Sequence, residues 1–203
     1  TLRLGSVRTL VLDEADRMLD MGFHDDIMAI IKETPSARQS LLFSATYPRN
    51  IKKLSGSIQK DPLDIRVKDS AASLDIDEYF IRVERKNSID TLFKVMAHFH
   101  PESSIVFCNT KKKCQELEKK LTDKGLHVRA IHGDLEQFER DQVFAQFTGK
   151  GCSILIATDL AARGLDVKEL SAVINFELSH DPETHIHRIG RTGRAGSKGL
   201  AVS

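Results

Sequence analysis

Asp13, Glu14 and Asp16 place three carboxylates within four positions, directly after the apolar run Val7–Leu12. A carboxylate at the end of such a strand suits a Mg²⁺ carried by nucleotide phosphates and held through water, and a second acid beside it can polarise the attacking water. A lone Asp-Glu pair reads equally well as an acidic helix start that complements the helix dipole. Ser44-Ala45-Thr46 ends the next apolar run, so two hydroxyls stand where they could bond Asp16 or a group on another domain. Ser and Thr ahead of Pro48 are also ordinary helix-cap chemistry.

A second group of such residues lies downstream. Thr158-Asp159-Leu160-Ala161-Ala162-Arg163-Gly164-Leu165-Asp166 collects a hydroxyl, an arginine, a glycine and two carboxylates after one apolar run. Thr158, Arg163 and the Gly164 backbone suit phosphate oxygens, and Asp166 suits a ribose hydroxyl. The competing reading is a capped helix with Asp159 near its start. In His187-Arg188-Ile189-Gly190-Arg191-Thr192-Gly193-Arg194, Arg191 and Arg194 stand three apart, and Gly190 and Gly193 permit close backbone approach. Two guanidiniums so placed can meet charge developing on a γ-phosphate, whereas the plain alternative is a solvated basic helix end. His185 and His187 lack a third ligand in view, so no metal set is read there. Gly133, Gln137 and Arg140 stand at one helix start, and Asn109-Thr110-Lys111 repeats the arrangement at another. Backbone amides there bind phosphate well, with a simple cap as the alternative for both.

These residues need strands and helices to carry them. Val7–Asp13, Phe23–Glu33 and Arg38–Ser44 read as strand, helix and strand, followed by a helix from Pro48 to about Gln59 and a short strand at Leu63–Val67. Lys68–Asp77 is small, polar and acidic, as linkers are, which sets a linker at 68–75 between domains 1–67 and 76–203. From there, strands at 78–84, 103–107, 127–131, 152–157, 171–176 and 198–202 alternate with helices near 88–99, 111–123, 136–148 and 182–190. Such alternation implies an α/β fold, a parallel sheet with helices on both faces. Residues 76–203 then form one nearly complete doubly wound domain, and 1–67 form the back half of another. Open parallel sheets bind ligands beyond the carboxyl ends of their strands, where nearly all the motifs fall.

Composition narrows the classes. With 203 residues and 40% hydrophobic content, the chain can bury one full core and part of a second. The net charge of +1 gives no global attraction to nucleic acid, so binding must rest on Lys111–Lys113 and the arginines 163, 188, 191 and 194. Three cysteines without CxxC spacing indicate neither a disulfide framework nor a structural zinc, and fit a reducing, cytoplasmic setting. The apolar runs fall far short of the ~20 residues that span a bilayer. Thr1 is no initiator methionine and no secretion signal follows, so the chain is expected to begin inside a longer protein.

Taken in order and spacing, DEAD, SAT, IVFCNT, HGDLEQFERD, ATDLAARGLD and HRIGRTGR resemble the DEAD-box family of superfamily-two RNA helicases over essentially the whole chain. The resemblance implies RecA-like domains, ATP and Mg²⁺ as cofactors, RNA as partner and a monomer that unwinds or remodels RNA by ATP-driven domain closure. By it, Asp13 is the magnesium carboxylate and Glu14 activates water. Asp16, Ser44, Thr46 and His187 link ATP state to closure, and Asp166, Arg191 and Arg194 meet nucleotide from the second domain. Thr110, Gly133, Gln137, Arg140, Thr158, Arg163 and Gly164 line the RNA path, and Arg188 is left without a role. The stretch Asn175–His187 resembles the bacterial DbpA type, which implies ribosome assembly and activation by ribosomal RNA. The family's glutamine motif and G-x-G-K-T type phosphate loop do not occur in these residues. This leaves two other readings open, a DNA helicase of the same superfamily and a catalytically inactive RNA-binding or partner-binding module.

Overall fold

Thr9–Leu12 (β1) and Gln39–Leu42 (β2) pair in parallel with Thr9 opposite Gln39, and one face of the pair is covered. Leu10, Leu12 and Leu42 pack on Ile27 and Ile31 of α2 (His24–Lys32) and on Leu54 and Ile58 of α3 (Arg49–Ile58). The opposite face, with Val11, is exposed. A six-residue helix, α1 (Ala15–Asp20), follows β1, where the acidic pair offers a helix start only as the alternative to a metal site.

The structure is a computed structural model that describes residues 3–66, 75–162, 170–193 and 198–203. It divides the chain into two units, Thr1–Lys68 and Asp69–Ser203. In the first unit the expected strand at Leu63–Val67 does not form over residues 63–66, and Leu63 and Ile65 are 83% and 76% exposed. A strand exists by pairing, and no described strand pairs with this stretch. Val67 lies outside the described residues.

In the second unit six strands form one sheet in the order β3-β8-β7-β4-β6-β5, every described pairing parallel. The strands are β3 (Ile76–Tyr79), β4 (Ser104–Phe107), β5 (Val128–Ile131), β6 (Ile154–Ala157), β7 (Ala172–Asn175) and β8 (Gly199–Val202). β4, β6 and β7 are buried at all four positions, which is why their sequences are mostly apolar, Ser104 and Asn175 apart, and do not alternate. On one face Val106, Ile156 and Ile174 meet Leu92 and Val95 of α4 (Ser88–Phe99) and Leu117 and Leu121 of α5 (Lys111–Asp123). On the other, Ile105, Leu155 and Val173 meet Phe147 of α6 (Gln137–Thr148) and Ala161 of α7 (Asp159–Ala162). α8 (Pro182–Ile189) contributes to neither core, and its one buried residue is Arg188. The strand expected at 78–84 starts two residues earlier and ends at Tyr79, although Ile81 N–H still donates to the Ser203 carbonyl at 2.8 Å. Among the described residues no helix is long and apolar enough to cross a membrane.

Candidate functional site

The first unit turns sharply at its acidic tetrad. Glu14 caps α1 with a left-handed φ of 51°, and Ala15 N–H donates to the Phe43 carbonyl at 3.0 Å, tying the turn to the end of β2. A non-glycine residue there costs on the order of 1–3 kcal/mol, so the surrounding contacts must hold it. As a result Asp13 and Glu14 stay exposed at the carboxyl edge while Ala15 and Asp16 are buried. Asp13 Oδ1 accepts from Glu14 N–H at 2.9 Å.

Asp16, 7% exposed, is the residue that Ser44-Ala45-Thr46 serves. Its Oδ2 accepts from the Thr46 N–H at 2.8 Å and the Thr46 hydroxyl at 2.9 Å, and Oδ1 accepts from Arg17 N–H at 3.0 Å. The Ser44 hydroxyl donates to the Thr46 carbonyl at 2.6 Å and accepts from Asp16 N–H at 3.3 Å. Burial alone pushes the Asp16 carboxyl up, but the bonds from Thr46 and Arg17 outweigh it and hold it below its ordinary 3.8. The helix-cap alternative for these hydroxyls does not hold, since α3 is capped by Pro48 without a side-chain bond.

In the second unit the deciding side chain is one that sequence reasoning grouped with the nucleic-acid contacts and otherwise left without a role. Arg188 is 2% exposed. Its Nε and Nη2 donate to Asp159 Oδ1 and Oδ2, both at 2.7 Å, and Nη2 also donates to Asn109 Oδ1 at 2.9 Å. Nη1 donates to the Glu177 carbonyl at 2.7 Å and to Asn175 Oδ1 at 3.2 Å. The guanidinium has five N–H donors, and five bonds use them. It also lies 5.0 Å from the Phe107 ring centroid. Asn109, Asp159 and Asn175 to Glu177 stand at the carboxyl ends of β4, β6 and β7, three adjacent strands. Arg188 thus fastens the motif loops together and is unavailable to nucleic acid. A signal existed in the sequence, since Asn175 ends an apolar run and a buried polar residue demands a partner.

The remaining expectations divide. Thr110 Oγ1 caps α5 by accepting from Lys113 N–H at 3.2 Å, and Thr158 Oγ1 caps α7 by accepting from Ala161 N–H at 3.4 Å. The capped helix expected with Asp159 near its start is present, with Thr158 as its cap, and Asp159 itself binds Arg188. Gln137 bonds Asp141 within α6, Arg140 Nη2 donates to the Ala161 carbonyl at 3.3 Å, and Gly133 is exposed with open space around it. Lys111 is paired with Asp134 at 2.7 Å and Lys113 with Glu116 at 3.1 Å, so this cluster is partly neutralised. Gly193 has a φ of 68°, and a Cβ there would lie 2.6 Å from Ile76 Cγ1. Its close approach is therefore to β3. His187 and Arg191 are half-buried. Arg163, Gly164, Asp166 and Arg194 lie outside the described residues.

Residues 87–196, more than half of the chain, match the family profile described as "Helicase conserved C-terminal domain", and residues 1–54 match "DEAD/DEAH box helicase". The chain belongs to the DEAD-box helicase family. It is 49% identical over 203 residues to the ATP-dependent RNA helicase DbpA of Escherichia coli K12, covering all of this chain and 44% of that protein. It is 43% identical to the ATP-dependent RNA helicase CshA of Limosilactobacillus reuteri, again over the whole chain and 41% of the relative. The chain thus spans less than half the length of these curated relatives. Among solved structures, Saccharomyces cerevisiae Dbp5 bound to RNA and ADP BeF3 matches all of the chain with 54% of its own, at 34% identity and a TM-score of 0.88. A DEAD-box protein from Methanococcus jannaschii matches all of it with 55% of its own, at 42% identity and a TM-score of 0.61. The RecA-like α/β fold expected from the motifs is the fold found.

Proposed function

We propose that this chain supplies part of the motor of an ATP-dependent RNA helicase, with 1–67 as the carboxyl-terminal part of the ATP-binding domain and 76–203 as the helicase C-terminal domain. The observation that carries the reading is the Asp16 clamp. It spends one acid of the tetrad on Ser44 and Thr46 and leaves Asp13 and Glu14 exposed at the strand end, where a nucleotide would be met. The donor set fits Mg²⁺ only loosely, since no group of three His, Cys, Asp or Glu among the described residues could enclose a metal. Asp13 would hold it through water against the substrate's phosphates, and the ion would screen their charge.

On this reading Glu14 orients the attacking water. Asp166, Arg191 and Arg194 approach the nucleotide, with Arg191 and Arg194 meeting its γ-phosphate charge, and His187 joins Asp16, Ser44 and Thr46 in coupling to closure. Thr110, Gly133, Gln137, Arg140, Thr158, Arg163 and Gly164 face an RNA backbone. Recognition of backbone and not bases accords with the 6% aromatic content and the absence of Trp. Three buried free thiols support a reducing compartment, the cytoplasm. Action on ribosomal RNA as a monomer is the finer form, supported by the resemblance of residues 175–187 to the DbpA type.

The test is the RNA-stimulated ATPase of the full-length protein. Turnover should rise with unrelated RNA strands of equal length and not with DNA. Glu14→Gln should abolish turnover while RNA still binds. Equal stimulation by DNA, or full activity in Glu14→Gln, would overturn the reading.

A further inference from the structure

α8 carries His187 and Arg188 and leads two residues later to Arg191, yet it buries no apolar side chain. Ile186 on this helix is exposed. A helix so poor in hydrophobic anchoring must be held by polar contacts, and the structure shows two sets. One is the Arg188 cluster. The other is centred on His185.

His185 Nε2 lies 2.7 Å from Glu78 Oε1 on β3, and the carboxylate can only accept, so Nε2 carries the proton. Nδ1 then accepts from Asn175 Nδ2 at 3.5 Å. The other Nδ2 proton goes to Ser203 Oγ at 2.9 Å, and Asn175 Oδ1 accepts from Arg188 Nη1 at 3.2 Å. The Phe80 ring stacks on the imidazole at 6.2 Å between centroids and 25° between planes. A continuous path therefore runs from Glu78 on β3 through His185 and Asn175 to Arg188. β3 touches the arginine segment again where Gly193 packs on Ile76. It is also one of the sheet's two edge strands and pairs only with β8 among the described strands, so the polar path fixes the helix to a strand supported on one side only.

We propose that His185 is a positioning residue, which straps α8 to β3 through Glu78 and Asn175 and so sets where Arg188 and Arg191 stand. The inference rests on the helicase reading for its consequence in turnover, but the strap itself is a property of the second unit. It makes α8 and β3 move together.

The experiment pairs kinetics of the full-length protein with amide exchange. His185→Ala should lower kcat of the RNA-stimulated ATPase about 10-fold, the scale expected when reacting groups are displaced by a fraction of an ångström. KM for ATP should change less than about 2-fold, because misplacement, and not lost substrate binding, is the fault. His185→Gln, whose amide can still donate to Glu78, should recover most of the loss. Glu78→Gln combined with His185→Ala should be no worse than His185→Ala alone, as expected for partners in one interaction. Amides of α8 should exchange at least about 5-fold faster in His185→Ala than in wild type, with those of α5 unchanged. An active wild type with unchanged kcat in His185→Ala, additive effects of the two substitutions, or unaltered α8 exchange would each overturn the strap. A wild type without RNA-stimulated turnover would count against the helicase reading alone, and the exchange result would then decide the strap.

Discussion

Asp16 shows how a single carboxylate can be structural inside a motif otherwise read as catalytic. Its folded pKa lies below the 3.8 of the free side chain, so it contributes stability that is fully present above pH 3.8 and lost as the pH falls below that through the folded value. The first unit should therefore loosen on acidification in that window, and Asp16→Asn should flatten this part of its pH profile, which circular dichroism of a titrated sample can follow. Thr46→Ala removes one bond to a buried charge and should cost about 1.5–3 kcal/mol by denaturant unfolding. Arg188 is the counterpart in the second unit. Arg188→Met leaves Asp159 unpaired, and because the Asp159 side chain keeps 33% exposure the cost should sit near the low end of the ~3–5 kcal/mol seen for broken buried pairs. Arg188→Lys should recover little, since a point charge cannot make the two-pronged bond to Asp159 while reaching Asn109 and Glu177.

At the scale of elements, the apolar patterns that announce β4, β6 and β7 also explain their sensitivity. Leu121 of α5 is fully buried in the core above these strands, and Leu121→Ala should destabilise the second unit by about 2–5 kcal/mol in denaturant melts, whereas replacement of exposed Leu63 should be nearly silent. Helices α4 and α5 were legible to the residue because each combines regular apolar spacing with a clear start, Thr110 serving as the cap in α5. The stretch at residues 63–66 was misread for a physical reason, since alternating Leu63 and Ile65 resemble a strand and only a neighbour makes one. The short α1 is legible only as the acidic-helix-start alternative at Asp13-Glu14, because Glu14 starts it in a left-handed turn that no local pattern requires. At the site, the gathering of motifs at strand ends could be read, but the partner of each side chain could not. Asp159 and Arg188 are 29 residues apart, and their pairing arises only when β6 and β7 flank β4.

At the scale of the whole molecule, two units of unequal core imply two stabilities. The first rests on a two-stranded sheet with one covered face, the second on six strands covered on both. Calorimetry should show two transitions, with the first unit melting earlier, and Leu121→Ala should lower only the later one. A single transition shifted as a whole would contradict this independence. The 203 residues hold no G-x-G-K-T loop, so titration of MgATP into this chain should show no micromolar binding and a phosphate-release assay no turnover with RNA.

The cysteines are unevenly shared between the units: Cys108, Cys114 and Cys152 are all in the second, and each is free and buried. Contact with the Cys114 thiol and burial push the Cys108 thiol up, and burial does the same for Cys152. Thiolate is the reactive form, so a disulfide reagent should find the native protein nearly inert. Cys108 and Cys114 report from one core and Cys152 from the other, so their labelling rates time the opening of each face of the sheet. Residues 1–68 hold no cysteine, and one engineered onto their surface would be the only quick thiol in the chain. A fluorophore could then be placed there without removing any native residue.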